Sequence, residues 1–125
     1  MKILVVDDSL MDRKLVMNML KKAGVSHPVL EAADGEDALK VLSANYQDIC
    51  LILLDWQMPR MNGIEFMKGI VKVPDVASIP IVMVTASGSE DNKKFAKEVN
   101  PNLAGYVTKP FKPDILIETI KPFLK

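Results

Sequence analysis

The stretch Ile49-Cys50-Leu51-Ile52-Leu53-Leu54-Asp55-Trp56-Gln57-Met58-Pro59-Arg60-Met61-Asn62-Gly63 decides how this chain folds. Six apolar residues without a polar break suit a parallel strand buried on both faces, whereas a strand with one wet face would alternate. The run stops at Asp55, and Asn62-Gly63 then opens a helical pattern. The same kind of junction recurs on either side. Asp7-Asp8 follows Ile3 to Val6, Thr85 follows Ile81 to Val84, and Lys109 follows Tyr106-Val107-Thr108. Ligands in open α/β sheets bind at the carboxyl ends of the strands. Three carboxylates, a hydroxyl and an ammonium are therefore expected along one sheet edge.

Helical patterns fill the spaces between these runs, and the alternation repeats five times. Ser9 and Asp12 have capping-box spacing, after which Val16, Met19, Leu20 and Ala23 share a face until Gly24. The second strand, Val29 to Ala32, is short and carries Glu31, as an edge strand should. Asp34-Gly35 turns into a helix with Ala38, Leu39 and Leu42 inward, and Asn62-Gly63 into one with Ile64, Met67, Ile70 and Val71. Pro74 and Pro80 punctuate the loop into the fourth strand. Between Ser89 and Asn100 only Phe95, Ala96 and Val99 are apolar, so the fourth helix is thinly anchored; an ordinary solvated surface helix is the first reading and a mobile one the second. The last helix starts at Pro113-Asp114, turns Leu116, Ile117 and Ile120 inward, and ends at Pro122. The expected fold is α/β: a doubly wound five-stranded parallel sheet flanked by five helices, with right-handed crossovers. With the short polar strands 2 and 5 at the edges, the order is the flavodoxin-like 2-1-3-4-5, and the switch point falls between the strands carrying Asp7-Asp8 and Asp55.

At 125 residues the chain is expected to be one domain, residues 1–125. Sixteen basic residues balance sixteen acidic ones, so no global field favours nucleic acid or an anionic membrane, and specificity must reside in a local site. Cys50, the single cysteine, sits inside an apolar run and reads as a buried thiol. No apolar run approaches membrane-spanning length, and a cytoplasmic location is the expectation. Most of the eight methionines read as core fillers at inward helical positions.

Three neighbouring carboxylates repel one another and raise each other's pKa unless a cation neutralises them. A few carboxylates with room for water suit Mg²⁺ better than a caged Ca²⁺. With Asp7, Asp8 and Asp55 ionised, Lys109 and a divalent cation roughly balance the charge.

Four motifs in order then carry a resemblance: Asp7-Asp8; Asp55-Trp56-Gln57-Met58-Pro59-Arg60-Met61-Asn62-Gly63; Thr85-Ala86; and Tyr106-Val107-Thr108-Lys109-Pro110-Phe111. Nearly end to end, the chain resembles a response-regulator receiver domain, in particular the free-standing kind that serves chemotaxis. The resemblance implies a two-component phosphoacceptor and not an enzyme in its own right, although one that assists its own phosphorylation and dephosphorylation. It implies that Asp55 accepts a phosphoryl group from a phosphohistidine on a histidine kinase or histidine phosphotransfer domain. Asp8 and Asp55 would bind Mg²⁺ with the Gln57 backbone carbonyl, and Asp7 would act mainly through water. Lys109 would contact a phosphoryl oxygen and precede a cis peptide bond to Pro110. The Thr85 hydroxyl and the backbone amides of Trp56 and Ala86 would complete the anion site. Thr85 and Tyr106 would form a switch that alters the face of the fourth helix, fifth strand and fifth helix, where a downstream target binds. Leu10 and Met17, on the outer face of the first helix, would meet the phosphodonor. The implied protein works as a monomer.

Three rival functions compete with this reading. A Mg²⁺-dependent phosphohydrolase with an aspartate nucleophile needs a further acid for the leaving alcohol, where this chain has Gln57. A flavin or nucleotide binder wants a Gly- or Ser/Thr-rich loop after strand 1, where this chain has Asp7-Asp8. A phosphorylation-independent interaction scaffold has no use for so complete an acidic site.

Overall fold

The computed structural model describes residues 1–125. Five strands, β1 (Lys2–Val6), β2 (Val29–Ala32), β3 (Ile49–Leu54), β4 (Ile81–Thr85) and β5 (Gly105–Thr108), pair in parallel in the order β2-β1-β3-β4-β5. Six α-helices accompany them: α1 (Leu10–Lys22), α2 (Gly35–Asn45), α3 (Gly63–Ile70), α4 (Pro74–Ala77), α5 (Glu90–Val99) and α6 (Pro113–Ile120). The sheet order matches the sequence expectation, and all six residues of β3 are buried.

The strand alternation divides the interior into two cores. Leu4, Val6, Ile52, Leu54, Ile81 and Met83 point to one face, where Ala38 and Leu42 of α2, Ile64, Phe66, Met67 and Ile70 of α3, and Ala96 of α5 cover them. Ile3, Val5, Leu51, Leu53, Val82 and Val84 point to the other, against Val16 and Leu20 of α1 and Leu116 and Ile120 of α6. Cys50 lies in this second core, buried as expected.

The helix count is six and not five. The Pro74 loop contains the single turn α4, which has proline in its first turn and buries Val76 against the first core. Proline at such a position is already set at a helical φ and lacks only an N–H that would have no intrahelical partner. A 3-10 turn, Lys121–Phe123, carries the chain past Pro122. The methionine expectation also needs correction. Only Met67 and Met83 belong to the buried core; Met19, Met58 and Met61 pack partly against it, and Met11 is 81% exposed. Helix α5 is as thinly anchored as its sequence suggested, with Ala96 its one buried residue.

Candidate functional site

The ladder continues one residue past the strand ends. The Asp7 N–H donates to the Ala32 carbonyl at 3.0 Å, Asp55 N–H to Val6 at 2.9 Å, and Lys109 N–H to Thr85 at 2.8 Å. This registers the polar residues side by side at the carboxyl edge, where the chain leaves β1, β3 and β5. One carboxylate oxygen from each of Asp7, Asp8 and Asp55 falls within 4.8 Å of the others. Asp7 and Asp55 are buried and Asp8 is exposed, so the cluster has a closed floor and an open mouth. Three hard oxygen donors with solvent on one side could hold a Mg²⁺ ion that keeps part of its water.

Lys109 reaches into this cluster. Its Nζ donates to Asp7 Oδ2 at 2.6 Å and Asp12 Oδ2 at 2.9 Å, and lies 3.4 Å from Asp55 Oδ2. Burial alone would depress the ammonium, but the bonds to Asp7 and Asp12 and the charge of Asp55 outweigh it and hold Lys109 above the ordinary lysine range. Asp7 is pushed above the usual carboxylate range, first by burial and then by Asp55, with Lys109 and the Ser9 N–H pulling the other way. The Trp56 N–H donates to Asp55 Oδ1 at 2.7 Å, so a backbone amide already faces the carboxylate. The Lys109-Pro110 bond is cis. Gln57 and Ala86 are exposed on the two loops that rim the site.

Thr85 is buried at the end of β4, but its hydroxyl faces its own loop: Oγ1 accepts the Ser87 N–H at 3.2 Å and bonds to none of the carboxylates. Tyr106, half-buried on β5, donates its hydroxyl to the Ser87 carbonyl. Burial, and secondarily the charge of Asp55, raises the Tyr106 pKa, so the ring stays a neutral donor. Ser87 thus joins both residues through its own backbone.

Two features escaped the sequence reading. Asp12 has capping-box spacing, and Ser9 Oγ does accept its N–H at 3.2 Å, but its carboxylate turns to Lys109 instead of back to the cap. The charge balance drawn from three carboxylates must therefore include a fourth. Arg60, with φ of 62°, pairs with the fully buried Asp34, tying the β3–α3 loop to the start of α2. The Asp37 N–H holds Asp34 below the usual carboxylate range with help from Arg60, against the upward push of burial.

On the α1 side, a cleft of about 320 Å³ opens beside Lys109, walled by Leu15, Val16, Met19, Pro110 and Phe111. Leu15 on its wall is exposed, as are Leu10 and Met11 elsewhere on α1, whereas Met17, expected on the outer face, is partly buried. A larger apolar cavity of about 400 Å³ between α2, α3 and α4 contains no site residue. No helix is long and apolar enough to cross a membrane.

Residues 3–121 match the response regulator receiver domain model. Over 124 residues the chain is 37% identical to a chemotaxis protein CheY homolog of Campylobacter jejuni, covering 99% of this chain and 92% of that one. It is equally identical to chemotaxis protein CheY1 of Helicobacter pylori, covering 97% of that chain. Among solved structures it resembles CheY4 of Vibrio cholerae, with TM-score 0.84, 34% identity and 98% of each chain covered. It also resembles a chain of the CheX-CheY-BeF3-Mg complex of Borrelia burgdorferi, with TM-score 0.86, 26% identity, and 99% and 90% covered. Fold, site geometry and relatives agree: this chain belongs to the response regulator receiver domain family.

Proposed function

We propose that this chain is a phosphoacceptor of a two-component system, with Asp55 receiving the phosphoryl group from a phosphohistidine on a histidine kinase or histidine phosphotransfer domain. The observation that carries the reading is the Lys109 ammonium lodged among Asp7, Asp12 and Asp55 beside a second acidic residue, Asp8, at the mouth. An Asp55 carboxylate oxygen attacks phosphorus, a P–O bond forms, the P–N bond breaks, and the departing imidazole nitrogen keeps the electron pair. Asp7, Asp8 and Asp55, with the Gln57 carbonyl, would hold Mg²⁺, whose charge would offset that of the phosphoryl oxygens. Lys109 donates to a phosphoryl oxygen, and the Trp56 and Ala86 amides supply further donors of fixed direction.

A phosphorylated aspartate carries more negative charge than the carboxylate it replaces, which rewards a new donor. Thr85, at the end of the neighbouring strand β4, is the donor for that role. Its departure from Ser87 releases one end of the loop that Tyr106 holds at the other, and the face of α5, β5 and α6 changes shape. Lys93, whose Nζ lies 6.0 Å from the Tyr106 ring centroid, belongs to that face, where a target protein binds. The names of the relatives favour chemotaxis as the pathway. The chain works as a cytoplasmic monomer and has no nucleic-acid or membrane partner.

The test is incubation with a small acyl phosphate with and without Mg²⁺, followed by intact mass measurement of wild type and Asp55→Asn. One Mg²⁺-dependent phosphoryl group is expected, absent in the variant. Equal labelling of the variant refutes the assignment of Asp55, and sustained turnover of phosphate esters favours a hydrolase.

A further inference from the structure

We propose that Asp12 is a positioning residue for phosphoryl transfer: its carboxylate holds the Lys109 ammonium back from Asp55 and thereby slows phosphorylation. This rests on the reading of Asp55 as phosphoacceptor. Lys109 Nζ is 2.6 Å from Asp7 and 2.9 Å from Asp12, but 3.4 Å from Asp55. An ammonium has three N–H donors, and their strength falls with distance. The two short bonds draw Nζ toward β1 and α1, and Asp55 receives the weakest interaction of the three.

Asp12 is free for this task because its backbone does the capping. Ser9 Oγ accepts the Asp12 N–H at 3.2 Å and fixes the first turn of α1, while the carboxylate has Lys109 as its hydrogen-bond partner. Asp12 also stands outside the group of oxygens that can share a cation, which comprises Asp7, Asp8 and Asp55. Its charge is therefore the one that a bound Mg²⁺ would offset least. With four carboxylates against Lys109 and a divalent ion, the site carries roughly one unit of negative charge before an anionic phosphoryl group arrives. For Lys109 to engage that group fully, it must loosen its bond to Asp12. At 42% exposed, the Asp12 carboxylate is hydrated, so the brake is modest and salt-sensitive.

The test compares Mg²⁺-dependent labelling rates by a small acyl phosphate in wild type, Asp12→Asn, Asp12→Glu, Lys109→Met and the Asp12→Asn/Lys109→Met pair, at low and high salt. Urea unfolding verifies that each variant folds. Asparagine keeps the side-chain size and the backbone cap but removes the charge. Asp12→Asn is expected to label about threefold faster at low salt, the change that a half-exposed ion pair supports. The gain shrinks at high salt, glutamate returns the rate toward wild type, and the acceleration disappears in the Lys109→Met background. If Asp12→Asn labels no faster than a labelled wild type, this inference falls and the phosphoacceptor reading stands. An undiminished acceleration without Lys109 also overturns it, because Asp12 would then act as a bare charge. Absence of label at Asp55 in every chain would overturn both.

Discussion

Replacing Gly63 by alanine tests whether the start of α3 fixes the position of Asp55. Gly63 is buried at the first position of α3, and its N–H donates to the Trp56 carbonyl at 2.9 Å. A Cβ added there would overlap the Asp55 carbonyl oxygen and sit 3.1 Å from the Asp55 carbonyl carbon and 3.2 Å from Trp56 Cα. All three atoms are backbone, so no side chain can rotate away. Overpacking of this kind costs about 1–3 kcal/mol, and a weakened Trp56 hydrogen bond adds about 1 kcal/mol. The better helix propensity of alanine returns up to about 1 kcal/mol. The net expectation is a loss of about 2 kcal/mol, read from urea unfolding. Labelling should suffer more, because a displacement of about 1 Å at a reacting group can cost about a hundredfold in rate. Gly69→Ala is the control on the same helix: its Cβ meets nothing within 4 Å, and it should gain up to about 1 kcal/mol with normal labelling. A Gly63→Ala protein within about 0.5 kcal/mol of wild type, labelling at the wild-type rate, refutes the reasoning.

Two further outcomes follow from groups around the site. Asp34 has a folded pKa below its unfolded value, so its stabilisation is present above about pH 4 and lost as pH falls through the folded value. Asp34→Asn keeps an oxygen to cap the Asp37 N–H but loses the charge facing Arg60, itself 58% exposed. A cost of about 1 kcal/mol at pH 7 is expected, with the two proteins converging in acid, and urea midpoints across pH measure it; a pH-independent difference would contradict this. Tyr106→Ala removes the hydroxyl that holds the Ser87 carbonyl and should label normally while losing phosphorylation-dependent target capture; equal loss of both would make Tyr106 a structural residue.

The sheet was legible because burial on both faces leaves an unbroken aliphatic run, and β3 shows that run without exception. The site was legible to the extent that its members follow strands: a strand's end fixes where the next residue stands, and parallel register then brings Asp7, Asp55 and Lys109 together. Asp12 was not, because its local pattern already had a sufficient explanation as a cap, while its carboxylate serves a lysine 97 positions away. The Arg60–Asp34 pair, 26 residues apart and dependent on a left-handed φ, leaves no periodic trace either. Helix α4 was hidden because one turn is shorter than any helical period can reveal. The methionine expectation failed where helical spacing was equated with burial: Met11 has a helical place but faces outward.

The proposed switch is bounded by the bonds around Ser87. A Thr85 hydroxyl that turns to a phosphoryl oxygen gains about 1.5–3 kcal/mol and gives up its neutral bond from the Ser87 N–H, worth about 0.5–1.5 kcal/mol. The remainder, about 1–2 kcal/mol, is well short of the roughly 5.5 kcal/mol that would carry a two-state equilibrium from 1:99 to 99:1. The Tyr106 bond to the Ser87 carbonyl and a lightly packed α5 are what resist the motion. Helix α5 buries only Ala96, and Phe95, 42% exposed, meets the sheet-edge loop through a tilted contact with Trp56 at 6.1 Å. A weak driving force suits a weakly held helix, and the proposed switch requires a free form that rests mainly in the inactive conformation. A target that prefers the active face then completes the shift with its own binding energy, and phosphorylation improves its affinity by about tenfold, since about 1.4 kcal/mol corresponds to that factor.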